Sequence, residues 1–173
     1  ARVLDLGTGS GAIAISLACE RADLHIVATD RSPEALAVAR RNAQRLAGEA
    51  LAGARLQWRS GSWWDAVDAQ DRFDLIASNP PYIEAGDPHL AQGDLRHEPR
   101  QALVSGVGGL DALREIVAGA PRHLKPAGWL LLEHGCDQEV ALRALLAGAG
   151  FESIRTLRDA SGLPRVTLGR RPE

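Results

Sequence analysis

Arg2-Val3-Leu4-Asp5-Leu6-Gly7-Thr8-Gly9-Ser10-Gly11-Ala12-Ile13-Ala14-Ile15 reads as an apolar strand, a glycine-rich turn and the start of a helix. Glycines permit positive φ and let backbone approach a ligand closely. A turn at a helix N-terminus also presents N–H groups that no helical carbonyl satisfies. The next apolar stretch, His25-Ile26-Val27-Ala28-Thr29, ends in Asp30. An acid about 20 residues past such glycines suits the hydroxyl pair of a ribose. A nicotinamide-binding fold would show the same acid, but its turn is usually Gly-x-Gly-x-x-Gly, whereas this one is Gly-x-Gly-x-Gly-Ala preceded by Asp5.

Working outward, strands and helices alternate. Residues 2–6, 25–30, 55–59, 73–78, 129–133, 151–157 and 164–170 read as strands, and 11–21, 33–46, 108–123 and 137–148 as helices. Ser32-Pro33-Glu34 supplies an N-cap and a proline at the first helical position. Leu110, Leu113, Ile116 and Val117 recur at helical spacing, and Trp129-Leu130-Leu131-Leu132 is continuously apolar, as a central strand should be. Gly48 to Gly53 reads as a loop of small residues, Pro126-Ala127-Gly128 as a turn, and Gly162-Leu163-Pro164 as another. Alternation of this kind implies a mainly parallel sheet with helices on both faces. The last two strands have no helix between them and are expected to pair antiparallel. The segment from Ile83 to about Gly106 has little periodicity, and loops longer than about 12–15 residues are commonly functional. A lid over a substrate is expected there.

After the fourth strand comes Asn79-Pro80-Pro81-Tyr82. Two prolines remove two backbone donors and fix two φ angles, and each pushes the residue before it into an extended conformation. The Asn side chain and the free carbonyls form an acceptor pair suited to an –NH2 group, which carries two donors. Tyr82, the only tyrosine in the chain, adds an aromatic face. The plainer alternative is a proline-rich turn started by Asn.

The chain of 173 residues is long enough for one domain with a sizeable core. Hydrophobic content of 45% and charged content of 24% are ordinary for a globular protein. A net charge of −2 gives no bulk attraction to a polyanion. No apolar run approaches the roughly 20 residues needed to span a bilayer, and no signal peptide is visible. Cys19 and Cys136 lie in no metal-type spacing and make no disulfide framework, so free thiols and a cytoplasmic location are expected. His97, Glu98 and His134 invite reading as a metal or nucleophile site, but metal ligands are more closely patterned, and structural or solvated roles are expected.

Taken together, Gly7-Thr8-Gly9-Ser10-Gly11, Asp30 and Asn79-Pro80-Pro81-Tyr82 resemble the signature of methyltransferases that use S-adenosyl-L-methionine and act on a planar amino or amide nitrogen. Gly93-Asp94-Leu95-Arg96-His97-Glu98-Pro99 and Ala102-Leu103-Val104 resemble the substrate-side loop of the bacterial protein-(glutamine-N5) methyltransferases that modify peptide chain release factors. Leu132-Glu133-His134-Gly135 and Arg165-Val166-Thr167-Leu168-Gly169-Arg170 are similar to the late strands of that family. The resemblance runs from residue 2 to about 170. It implies a Rossmann-like α/β fold of the class I S-adenosylmethionine-dependent type, a mostly parallel seven-stranded sheet with an antiparallel last strand. Residues 1–173 would be the catalytic domain. The family normally carries a small helical substrate-recognition domain ahead of this strand; the chain holds no methionine and opens directly on its core strand, so that domain is expected to be absent here.

The resemblance implies S-adenosyl-L-methionine bound by Asp5, Gly7, Thr8, Gly9, Ser10, Gly11, Asp30, Ser62, Trp63 and Asn79. It implies a substrate amide held by Asn79, Pro80, Pro81 and Tyr82, with Asn79, Pro80 and Tyr82 as the catalytic set. Asp5 either holds the glycine turn or meets the methionine amino group. Trp63 either flanks the adenine or, like Trp64, fills the core. The family often has an acid where this chain has Ser62; a hydroxyl accepts without charge assistance, so its bond to the adenine amino group should be weaker. The expected substrate is the glutamine of the Gly-Gly-Gln motif in release factors, taken by a monomer with no membrane and no nucleic-acid partner. Glutamine methylation of a ribosomal protein, or adenine-N6 methylation of DNA or RNA, are the alternatives.

Overall fold

The computed structural model describes residues 1–47, 55–83 and 105–173. Seven strands form one sheet: β1 (Arg2–Leu6), β2 (His25–Asp30), β3 (Leu56–Ser60), β4 (Phe73–Ser78), β5 (Leu124–Glu133), β6 (Glu152–Arg158) and β7 (Pro164–Arg170). Their order is β3-β2-β1-β4-β5-β7-β6. The pairs among β1 to β5 are parallel, and β7 runs antiparallel between β5 and β6. The expected fold class is borne out. Among the described residues four α-helices flank the sheet: α1 (Ala12–Glu20), α2 (Pro33–Ala47), α3 (Asp111–His123) and α4 (Glu139–Gly148). None of the described helices is long and apolar enough to cross a membrane.

Side chains alternate across a strand, so β1 serves both faces. Leu4 and Leu6 join Val27, Phe73 and Ile76 in a core that Leu113, Ile116 and Val117 of α3 and Leu142 and Leu146 of α4 complete. Val3 faces the other way, into a second core with Ile26, Ala28 and Leu56, closed by Ala14, Ile15 and Ala18 of α1 and Ala43 of α2. Asp5 shares the face of Val3 and is therefore buried beneath α1. The α2 N-terminus is capped as expected: the Ser32 hydroxyl accepts from the Ala35 N–H at 3.1 Å.

Two boundaries differ from the sequence reading. Pro126-Ala127-Gly128 is not a turn between α3 and β5; the strand runs through it from Leu124. Ala127 takes a φ of 62°, and the register with β4 shifts between Phe73 and Leu75, so a bulge absorbs the irregularity. Lys125 and Asp74 then pair at 2.8 Å across the bulge. The helix expected from residue 108 begins at Asp111, because Gly108 and Gly109 have left-handed φ of 66° and form a short turn instead. A one-turn 3-10 helix at Trp63–Ala66 was not expected. The loop at 48–53 and most of the expected lid, with Gly93 to Pro99 and Ala102 to Val104, lie outside the described residues.

Candidate active site

In a sheet of this order, β1 is flanked by β2 on one side and β4 on the other, and the crevice opens where successive connections diverge. Leu6 pairs with both Thr29 and Ser78. The segments that leave β1, β2 and β4 therefore start at one level, and the Ser78 hydroxyl ties β4 to β1 by donating to the Leu6 carbonyl at 2.7 Å. Every site residue expected from the sequence falls at this carboxyl edge.

The glycine turn is closed by its own neighbours. Thr8 N–H donates to the Thr29 carbonyl at 2.8 Å, and Gly11 N–H to the Thr8 carbonyl at 2.9 Å. Gly11, with φ 86°, makes the left-handed entry into α1. One Asp5 oxygen, Oδ2, accepts from the Thr8 hydroxyl at 2.6 Å and from the Ala14 N–H at 3.1 Å. Asp5 thus holds the turn. Its other oxygen, Oδ1, is buried without a partner. Burial raises the Asp5 carboxyl from 3.8 to about 6; the bonds from Thr8 and Ala14 offset part of that rise, and the charge of Asp30 adds to it. Ser10 is exposed, with its carbonyl accepting from Asn42 Nδ2 at 3.0 Å.

Asp30 also reaches back to the turn. Its Oδ2 accepts from Gly9 N–H and its Oδ1 from Ser32 N–H, each at 2.9 Å. A carboxylate offers about four lone-pair sites, so these two bonds leave capacity facing solvent. Gly61 N–H donates to the Asp30 carbonyl at 3.1 Å, which brings Ser62 and Trp63 alongside. Ser62 is exposed. Trp63 has a φ of 42°, a left-handed conformation that is strained for a side chain this large. Its ring lies over the glycine turn: a Cβ built on Gly7, itself at φ 69°, would stand 3.2 Å from the Trp63 ring. Both tryptophans are half-buried and pack against the same core. Trp64 donates to the Glu115 carbonyl at 3.0 Å and stacks on His123 with centroids 5.0 Å apart.

At β4 the arrangement changes. Asn79 is exposed, and no hydrogen bond joins its side chain to a described residue. Pro80 is buried, and Pro81 and Tyr82 are half-buried. The backbone behind them is gripped from below. Gln138 Nε2 donates to the Tyr82 carbonyl and to the Gly108 carbonyl, each at 2.9 Å, while Gln138 Oε1 accepts from Gly135 N–H at 2.9 Å. Gly109 packs so closely that an added Cβ would fall 2.0 Å from the Tyr82 carbonyl oxygen. Ser105 N–H donates to the Ile83 carbonyl at 2.9 Å, and the Ser105 hydroxyl accepts from Ala112 N–H at the start of α3. The Tyr82 hydroxyl lies 3.5 Å from Glu133 Oε1 at the end of β5.

His134 is fully buried, with Nε2 2.8 Å from the Thr167 hydroxyl and Nδ1 2.8 Å from the Gly135 carbonyl. It joins β5 to β7, the structural role expected of it. His97 and Glu98 lie outside the described residues. Among the described residues no group of three or more His, Cys, Asp or Glu side chains can hold a metal ion. Sequence reasoning did not place Gln138, Gly109, Asn42 or Glu133 in the site. Glu133 had a signal, an acid closing an apolar strand; the others act across distances that no local pattern records.

Residues 1–106 match the model of the methyltransferase small domain. The chain belongs to that family. Curated relatives carry the name release factor glutamine methyltransferase. The Xylella fastidiosa (strain Temecula1) protein is 54% identical over 99% of this chain and 60% of its own length. The Bordetella pertussis protein is 54% identical over 97% and 60%, and the Pseudomonas aeruginosa protein 54% over 98% and 59%. The chain thus spans about 60% of the length of the curated relatives it matches. Among solved structures, a methyltransferase from Pyrococcus furiosus aligns with TM-score 0.70 at 18% identity, covering 99% of this chain and 75% of that one. A ribosomal protein L11 methylase from Lactobacillus delbrueckii subsp. bulgaricus aligns with TM-score 0.68 at 23% identity, covering 98% and 70%. At those identities the family shares the fold, and the site must speak for the chemistry.

Proposed function

We propose that this chain transfers a methyl group from S-adenosyl-L-methionine to the side-chain amide nitrogen of a glutamine, the glutamine of the Gly-Gly-Gln motif in peptide chain release factors. The observation that carries the reading is the exposed, unengaged Asn79 amide on a backbone held rigid from behind. The curated relatives' shared name, at 54% identity, supports the substrate.

The residues present fit the cofactor. The orphaned buried oxygen of Asp5 suits an ammonium group, and it is the only partnerless carboxylate oxygen among the buried side-chain atoms of the described residues. An added Cβ on Gly9 would meet nothing within 4 Å, so the middle of the turn is open to a ligand. The remaining lone pairs of Asp30 suit ribose hydroxyls, and the Trp63 ring and Ser62 hydroxyl beside Asp30 offer an aromatic face and an acceptor that suit an adenine. When bound, S-adenosyl-L-methionine supplies an electrophilic methyl group on a sulfonium.

A carboxamide nitrogen is a poor nucleophile because its lone pair is delocalised into the carbonyl. Asn79 Oδ1 and the Pro80 carbonyl each accept one N–H of the substrate amide, fixing the nitrogen's orientation and drawing electron density toward it. As the N–C bond forms the nitrogen becomes positive, so both acceptor bonds strengthen in the transition state more than in the ground state. No strong base is required, because the departing proton becomes acidic once the methyl arrives and passes to solvent water. Tyr82 packs against the substrate side chain. The enzyme acts as a cytoplasmic monomer on a protein substrate, without nucleic acid.

Incubation with S-adenosyl-L-methionine and purified release factor, followed by mass spectrometry of the Gly-Gly-Gln peptide, tests the reading. One added methyl on that glutamine is the expected result. Methyl found only on a ribosomal protein or an oligonucleotide supplied in parallel would overturn the substrate.

A further inference from the structure

We propose that Gln138 is a positioning residue for methyl transfer, a clip that sets the direction of the Asn79–Tyr82 backbone; the role rests on the methyltransferase reading above. Gln138 is 7% exposed and lies in the turn between β5 and α4, far in sequence from the tetrapeptide. Its carboxamide is satisfied on three sides. Both Nε2 protons are used, one on the Tyr82 carbonyl and one on the Gly108 carbonyl, and Oε1 takes the Gly135 N–H. Three separate segments meet at this one group: the exit of β4, the approach to α3 and the exit of β5.

The prolines explain why such a clip is needed. Pro80 and Pro81 have no N–H, so the tetrapeptide cannot anchor itself through donors of its own at those positions. Its carbonyls must be oriented by donors from elsewhere, and the described donor to Tyr82 is Gln138. The Tyr82 carbonyl and the Gly109 backbone are in close contact, so the clip also presses the tetrapeptide onto the start of α3. Proline rings fix φ at Pro80 and Pro81, so the segment has little slack, and a displacement of its Tyr82 end is passed on toward the Pro80 carbonyl, one of the two proposed acceptors for the substrate amide.

Only a primary carboxamide of this length donates twice and accepts once from one position. Gln138→Leu removes all three bonds. Gln138→Glu keeps the shape but presents a carboxylate to two carbonyl oxygens, and burial beside those oxygens raises its pKa. Protonation then restores one donor, so this variant should recover as pH falls.

The experiment has two readouts. Single-turnover methylation of release factor gives rate and cofactor affinity separately. Carbonyl-13C tyrosine labelling gives a single backbone signal, since Tyr82 is the only tyrosine, and that signal reports the hydrogen bond to its carbonyl directly. The expected result is that Gln138→Leu slows transfer about 100-fold, the scale of a misplacement of about 1 Å, with cofactor affinity nearly unchanged. The Tyr82 carbonyl signal shifts in that variant, and in Gln138→Glu both signal and rate titrate together. If Gln138→Leu does not fold, the isosteric Gln138→Glu carries the test alone. A Tyr82 signal unchanged in the folded variants, or transfer at near wild-type rate with the signal displaced, would overturn the proposal. A wild-type chain inactive on release factor would overturn the substrate reading, and the Tyr82 signal would still decide whether the clip exists.

Discussion

At the β1–β2 end of the crevice, the glycine turn is bonded to the protein around it: Thr8 to Thr29 and Asp5, Gly9 to Asp30, Ser10 to Asn42. At the β4 end, Asn79 projects with no described partner, and the bonds lie behind it, on Tyr82 and Ile83. In the first region the residues proposed to meet the cofactor also hold the turn, Asp5 with Oδ2 while its Oδ1 stays unpaired, and Asp30 with both oxygens. The second keeps its acceptors free and delegates rigidity to Gln138, Gly109 and Ser105. A surface that must bind gains from being already satisfied and rigid, because less order has to be imposed on binding. A surface that must stabilise developing charge gains from acceptors that nothing else occupies.

The largest expected effect breaks the second region. Asn79→Ala should lower the rate of transfer about 100- to 1,000-fold, the range seen when one preorganised transition-state hydrogen bond is removed elsewhere; single-turnover kinetics at saturating cofactor measure it.

The next sharpens the first region. The Asp5 carboxyl rises from 3.8 in the unfolded chain to about 6 in the fold. The folded state therefore holds its proton more tightly, so the favourable contribution is complete below pH 3.8 and is lost as pH climbs through about 6. Asp5→Asn removes this dependence. Relative to wild type, the variant should gain about 2 kcal/mol between pH 4 and pH 7, read from urea unfolding at each pH.

Gly11→Ala tests the turn's backbone. Its φ is 86°, and the new Cβ would stand 2.8 Å from Ile15 Cδ1 and 3.1 Å from Ala39 Cβ. A loss of about 1–3 kcal/mol is expected, seen as a Tm lower by about 2–4 °C for each kcal/mol. The smallest effect is outside both regions. Ser32→Ala loses the cap of α2 and should cost about 1 kcal/mol, with transfer unaffected once the protein is folded.

These regions also differ in how they could be read from the chain alone. The glycine turn, Asp30 and the acceptor tetrapeptide are local patterns, each written within a few residues, and β1, β2, β4 and β7 begin and end where hydrophobic runs and turn residues place them. The turn reading of Pro126-Ala127-Gly128 missed the strand's start at Leu124, because the segment bulges between two stretches paired with β4, Leu124 with Phe73 and Trp129 with Leu75, and its backbone bonds to the distant Arg171 and Pro172. The surroundings of Trp63 and Trp64 depend on the left-handed φ at Trp63 itself and on a glycine in α3, Gly119, against which Trp64 packs. Gln138 is 56 residues from Tyr82. A polar residue near a helix start reads as a cap, and nothing in its neighbourhood announces that its side chain will face a distant carbonyl.

One paired measurement decides whether binding and turnover are divided between the two regions. S-adenosyl-L-methionine affinity and single-turnover rate are measured side by side on Asp30→Ala and Asn79→Ala. The expected result is opposite losses: Asp30→Ala weakens affinity by roughly 10-fold or more, the equivalent of about 1.4 kcal/mol, and largely keeps its rate at saturation, while Asn79→Ala keeps affinity and loses rate. Both variants losing the same quantity, or Asn79→Ala transferring methyl at the wild-type rate, would contradict it.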